Sequence, residues 1–216
     1  MLVAGATSAS GLAAARSLRG AGARVVAVGR DAERLTALGV AVPDLHTEVC
    51  DLTDEGAVTA LAERVHASDG PVDGVLHLVG GWRGGGGLAG QTDADYRFLE
   101  SSFTALRHVS RAFDADLRAA EAARLAVVSS TAVARPLAGG ANYAAVKAAT
   151  EAWTRAVAQG FAKDARDAGR PLAAASTIFR VKALAGLEDT LARAYVDLWD
   201  LPATDVNDQI TDLTAP

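Results

Sequence analysis

Short apolar runs alternate with longer amphipathic stretches along this chain, the pattern of repeated strand–helix units. MLVA leads through GATSASG into LAAARSLRGAG, which predicts a strand, a glycine loop and a helix from about Ser10 to Gly20. A second strand follows at Arg24 to Val28, ending in Gly29-Arg30, with the helix AERLTAL behind it and Asp31 placed to cap that helix. LHTEVC predicts a third strand. The helix EGAVTALAERVHA comes next, with Val58, Leu61, Ala62 and Val65 at helical spacing and Asp54 as its cap. A fourth strand runs from Gly74 to Val79. DADYRFLESSFTALRHVSRAFDADLRAAEAA predicts one long amphipathic helix, and Leu125 to Ser129 a fifth strand. The alanine-rich run through Tyr143 is a helix closed by Gly169 and Pro171. LAAASTIF is a sixth strand, Ala183 to Leu201 a further helix, and QITDL a seventh strand.

Strands that alternate with helices and read as continuous apolar runs belong to a parallel sheet covered on both faces. The expectation is therefore α/β: a Rossmann-like doubly wound parallel sheet of about seven strands with helices on both faces. At 216 residues the chain fits one domain spanning 1–216, with no internal repeat. No apolar run reaches membrane-spanning length, and MLVAGATSASG lacks the basic start of a secretory signal. The single cysteine, Cys50, has no internal partner, and no Cys/His cluster suggests a metal. These features favour a cytoplasmic protein without a membrane partner. A net charge of -5 with scattered arginines argues against nucleic acid.

Candidate chemistry concentrates between Ser129 and Lys147, SSTAVARPLAGGANYAAVK. Tyr143 and Lys147 stand four apart and share one helix face, and Ser130 lies thirteen positions before Tyr143 at the end of the fifth apolar run. A strand, a loop and a helix can so converge a hydroxyl, a phenol and an ammonium, which is equipment for moving a proton at an oxygen. A phenol ionises near pH 10; an ammonium about 4 Å away offers about 4 kcal/mol at an effective dielectric near 20, about three pH units. Desolvation opposes that pull, so the figure is an upper one. The serine and the YAAVK spacing resemble the signature of the short-chain dehydrogenase/reductase family, and the resemblance extends along nearly the whole chain.

Several roles follow from that resemblance. The glycine loop, with Gly5, Thr7, Ser8, Ser10 and Gly11, would hold a dinucleotide pyrophosphate at a helix N-terminus, Gly5 permitting the turn and Gly11 the backbone approach. Here Ala9 stands for the family's middle glycine and Ala4 for its threonine. Gly29 occupies the usual ribose-binding acid position and Arg30 follows, which favours NADP(H) over NAD(H), since a guanidinium suits a 2′-phosphate. Asp51 would accept from the adenine amino group and the Leu52 amide would meet the ring; alternatively Asp51 only helps start the next helix. Gly80 would lie beside the cofactor. HLVG at 77–80 replaces the family's NNAG, and His77, within an apolar strand, reads as a satisfied core histidine. Ser102 takes the place of an asparagine that in the family holds a water linking the lysine to solvent, and it is counted with the catalytic set. Phe179-Arg180 replaces a Pro-Gly pair.

Ser130 would hold the substrate oxygen, Tyr143 act as general acid/base, and Lys147 support the tyrosine and bind the nicotinamide ribose. The expected activity is NADP(H)-dependent interconversion of a carbonyl and an alcohol. A non-catalytic NADP(H)-binding or redox-responsive protein on the same fold is the alternative. The substrate would be a small molecule, and a homo-dimer or homo-tetramer is implied by the family alone. WRGGGGLAGQT predicts a pliable loop at the mouth of the site, in which Trp82 is either a substrate-facing aromatic or an anchor.

Overall fold

The computed structural model describes residues 1–213. Seven parallel strands form one sheet: β1 (Leu2–Ala4), β2 (Val26–Gly29), β3 (His46–Val49), β4 (Gly74–His77), β5 (Ala123–Ser130), β6 (Ala174–Val181) and β7 (Ile210–Asp212). Their order is β3-β2-β1-β4-β5-β6-β7. The chain therefore builds outward from β1 to one edge, returns, and builds outward again from β4. The turning point lies between β1 and β4, where open α/β sheets leave a crevice at the strands' carboxyl ends.

Neighbouring residues of each inner strand feed opposite cores. Leu2, Val26, Val75 and Leu125 pack on one face with Val58, Leu61 and Val65 of α3 (Glu55–Ser68), Leu106 and Val109 of α4 (Asp93–Ala112) and Phe161 of α6 (Ala141–Asp167). Val3, Ala27, Leu76 and Ala126 face the other way, toward Ala14 and Leu18 of α1 (Ala9–Gly20), Leu35 and Leu38 of α2 (Ala32–Ala41), and Leu191 and Tyr195 of α7 (Glu188–Val196). Burial on both faces is why these strands read as unbroken Val/Ala/Leu runs. Helix starts are fixed by side-chain caps: Ser8 accepts from the Gly11 amide, Asp31 from Arg34 and Asp54 from Ala57.

Three elements differ from the sequence expectation. The long helix after the glycine loop breaks at Phe113, whose fully buried ring leaves the helical path, and restarts as α5 (Asp114–Ala119). The amphipathic pattern continues across that break, so periodicity alone could not place it. The helix expected over 183–201 begins only at Glu188, after Gly186 takes a left-handed turn (φ 84°). It tightens into a 3-10 turn at Asp197–Asp200, and α8 (Ala203–Val206) follows Pro202. Lastly, β4 ends at His77, two residues before the expected Val79, because the chain there crosses over Gly5.

Candidate active site

Every sequence-selected group except Ser102, which lies within α4, sits at the carboxyl edge of the sheet or on the first turns of a helix leaving it. Gly5 follows β1 with φ 83°, and a Cβ there would stand 2.8 Å from the Val79 amide nitrogen, so only glycine fits. Gly11 is equally constrained, but by its own loop: a Cβ would lie 2.0 Å from the Ala6 carbonyl oxygen. Its smallness thus lets α1 start tight against the preceding turn. The Ser8 hydroxyl is spent as the cap of α1, Ser10 is buried, and Thr7 is half-buried. The first amides of α1 have no intrahelical acceptor and present a positive helix end at this edge.

At the end of β2, Gly29 lies under Thr7, whose Cγ2 would be 2.8 Å from an added Cβ. Arg30 beside it is exposed and draws down the Asp51 carboxyl across the β2–β3 edge, though bonds from the Thr53 hydroxyl and amide lower that carboxyl more. Asp51 Oδ1 accepts both Thr53 groups, at 2.7 and 2.9 Å. Asp54, not Asp51, caps α3. Leu52 is buried, and its carbonyl accepts from His108.

Across the crevice, Ser130 ends β5 and Tyr143 and Lys147 occupy the first turns of α6. The Ser130 hydroxyl caps the following 3-10 turn, accepting from the Ala132 amide, and stands close enough to the Tyr143 phenol to favour its ionised form. Lys147 Nζ donates to the Val128 carbonyl at 2.7 Å and lies 5.8 Å from the Tyr143 ring centroid. A Cβ on Gly80 would sit 3.7 Å from Nζ, so Gly80 borders the amine.

The electrostatics depart from expectation. Burial pushes the Tyr143 phenol up, and the nearby Ser130 hydroxyl opposes that push without cancelling it. The drop expected from Lys147 is not part of this arrangement, because the ammonium is turned to the Val128 carbonyl. Burial instead lowers Lys147 itself to about 8, against the pull of Glu151 one turn further on.

Glu151 escaped the sequence reading. It continues the i, i+4 row begun by Tyr143 and Lys147, and its carboxylate accepts from the Ser129 hydroxyl at 2.7 Å. Arg180, at the end of β6, grips it with Nε and a terminal nitrogen, both at 2.7 Å. Burial pushes Glu151 up, but the Arg180 and Ser129 bonds outweigh it and hold the carboxyl below its ordinary value. The Arg180 that stands in place of Pro-Gly thus ties β6 to the helix carrying Tyr143.

Ser102 is buried in α4 and donates to the Leu99 carbonyl of its own helix. Its backbone carbonyl faces β4 and accepts from His77 Nε2 at 3.0 Å. His77 is therefore half-satisfied rather than a satisfied core histidine: Nδ1, also buried, has no partner.

The glycine-rich loop is pinned rather than free. The Gly85 amide donates to the Gly139 carbonyl at 2.7 Å. The Gln91 amide group donates to the carbonyls of Gly85, Gly87 and Gly139, and its oxygen accepts from the Asn142 amide beside Tyr143. Trp82, Leu88 and Leu137 stand exposed on these two loops. A separate cavity lined by Met1, Arg24, Val72 and Asp73 lies at the opposite, amino end of the strands. Among the described residues no helix is long and apolar enough to cross a membrane, and no His/Cys/Asp/Glu group is disposed to hold a metal.

A family model described as short chain dehydrogenase matches residues 1–165. No curated protein matches the chain by sequence. Among solved structures, a metagenomic short-chain oxidoreductase in complex with NADP is 26% identical, with a TM-score of 0.84 over 100% of this chain and 96% of that one. An NADPH-bound short chain oxidoreductase of Pseudomonas aeruginosa PAO1, containing an atypical catalytic center, is 22% identical, with a TM-score of 0.82 over 98% and 93%. NAD+-bound xylitol dehydrogenase shares the fold at 16% identity, with a TM-score of 0.86 over 100% and 97%.

Proposed function

We propose that this chain, which belongs to the short-chain dehydrogenase family, is an NADP(H)-dependent oxidoreductase that interconverts a carbonyl and an alcohol, with Tyr143 as general acid/base. The observation that carries the proposal is the convergence of Ser130, Tyr143 and Lys147 at the end of β5 and the start of α6, with the serine hydroxyl beside the phenol. A nicotinamide cofactor, when bound, supplies or receives the hydride.

The residues present fit such a group. The α1 N-terminus and the glycine-lined turn offer amides to a pyrophosphate. Arg30, exposed directly after Gly29 at the position of a ribose-binding acid, offers a forked cation to a 2′-phosphate, and the Thr7 methyl occupies the space a side chain at Gly29 would need. Asp51 keeps Oδ2 free for an adenine amino group, with the Leu52 amide beside it. Gly80 leaves the approach to Lys147 open.

In the reductive direction Ser130 holds the carbonyl oxygen, and Tyr143 gives that oxygen its proton as hydride reaches the carbon. A phenol held above its ordinary value is protonated at neutral pH and so is ready as the donor. Lys147, one turn further along the same helix face, returns a proton to the phenolate left behind. Ser102 can still accept a hydrogen bond from water although its own proton is spent on Leu99. That spent proton is the feature favouring the second reading, an NADP(H)-binding protein without turnover.

The two separate in one experiment. NADPH and NADH are titrated by fluorescence, and NADPH loss is then followed against a panel of carbonyls with wild type and Tyr143→Phe. The expected result is tighter NADPH binding, wild-type turnover, and its loss in Tyr143→Phe with NADPH binding retained. Near-normal turnover in that variant, or equal affinity for NADH, would overturn the corresponding part.

A further inference from the structure

A buried histidine beneath the catalytic trio and the trio's own amine both have unused hydrogen-bonding capacity. His77 ends β4 and points, like Val75 two residues before it, toward α4 and α6. Its Nε2 reaches the Ser102 carbonyl, which can only accept, so the ring proton resides on Nε2 and Nδ1 carries a lone pair. That lone pair is buried and unpartnered. A buried acceptor left without a partner is destabilising, so some donor is owed to it. Lys147 has three ammonium protons, and the Val128 carbonyl takes one. Strand pairing brings the imidazole near the amine: His77 stands opposite Val127 on β5, one residue before the carbonyl that holds the ammonium. Burial holds His77 down to about 4, and the Lys147 charge adds to that effect. The ring is thus neutral near neutral pH, donating through Nε2 to Ser102 and open only as an acceptor at Nδ1.

We propose that His77 is a positioning residue for Lys147, its Nδ1 accepting a hydrogen bond from the ammonium through one bridging water. The amine would then be held from two directions, by Val128 on β5 and by His77 on β4, leaving its third proton for the Tyr143 side. His77 would so link the amine to α4 through the Ser102 carbonyl, a task the Ser102 hydroxyl, turned back into its own helix, does not perform. The ring gains and loses no proton in this role. The inference rests on the reductase reading above.

The first test reads the bond without turnover. In the 15N-histidine NMR spectrum of the full chain with NADP+, the His77 Nδ1 resonance should lie upfield of a free imidazole acceptor, with Nε2 protonated. A free-acceptor position, or the opposite tautomer, overturns the proposal even if the enzyme is active. The second test is kinetic. His77→Leu removes the acceptor and should lower kcat about tenfold while KM for NADPH and carbonyl stays within about twofold, since tenfold corresponds to about 1.4 kcal/mol, one buried hydrogen bond. His77→Asn offers an amide donor to Ser102 and an oxygen toward Lys147, and should restore most of kcat. An unchanged kcat in His77→Leu, or a loss that tracks melting temperature and is not rescued by Asn, overturns the positioning role. Should wild type turn over no carbonyl in the panel, the reductase reading fails, and the Nδ1 resonance still decides the bond.

Discussion

Removing Arg180 should expose how strongly the helix bearing Tyr143 depends on the strand beside it. Arg180→Met deletes two 2.7 Å bonds to a carboxylate whose side chain is only 8% exposed. Breaking one side of a buried ion pair costs about 3–5 kcal/mol, because the surviving charge is left without compensation. Ser129 keeps its bond to Glu151, and the Arg180 side chain is 21% exposed, which together reduce the expectation to about 2–3 kcal/mol. For a chain of this length each kcal/mol corresponds to about 2–4 °C, so the melting temperature should fall by about 4–12 °C. The sign with pH is fixed by Glu151, whose folded value lies below the ordinary 4.5. Its contribution is complete above the unfolded value and is lost as pH falls through the folded one. The gap between wild type and variant should therefore hold at neutral pH and narrow as pH falls into the carboxylate range, where the stranded Glu151 of the variant takes up its proton before that of the wild type. Adding Glu151→Gln to Arg180→Met removes the stranded charge and should recover at least half the loss. Urea unfolding across this pH range, on all three proteins, measures each quantity. A single-variant loss under about 0.5 kcal/mol, or a double variant no better than the single, would refute the reasoning.

Arg30→Ala should weaken NADPH binding by about 10–100-fold, the worth of a charged hydrogen bond, and leave NADH binding unchanged; fluorescence titration of both measures it. Because burial brings Lys147 to about 8, kcat/KM for carbonyl reduction should be flat at neutral pH and fall as pH rises through about 8, as the amine loses its proton. In Arg180→Met the same limb should move to higher pH, since the uncompensated Glu151 charge favours the protonated amine, which steady-state rates would register. Gly5→Ala places a methyl 2.8 Å from the Val79 amide nitrogen on a left-handed backbone, so loss of dinucleotide affinity together with a lower melting temperature is expected.

The doubly wound sheet was legible because strands buried on both sides are written as continuous apolar runs, and because Asp31 and Asp54 announce the helices they cap. Ser130, Tyr143 and Lys147 were legible for a similar reason: two share a helix face by spacing, and the third ends a strand. Glu151 and Arg180 were not, since they are 29 residues apart and meet only because α6 lies along β5 and β6. His77 reads as core in any hydropathy pattern; only its neighbours decide which nitrogen is used. The phenol's upward shift was likewise hidden, because the sequence places an amine near it but says nothing of the carbonyl that holds that amine. Glycines at 84–87 read as slack, and the bonds that restrain them come from the Gln91 side chain and from Gly139, far along the chain.

That restraint has a use beyond the native reaction. One carboxamide, Gln91, is tied to both loops at the mouth and to the first turn of the tyrosine helix. A protein engineer reshaping what the cleft admits thus has a natural border: Trp82 and Leu88 stand exposed and are open to replacement, while Gln91 is the stitch that keeps such edits from reaching Tyr143.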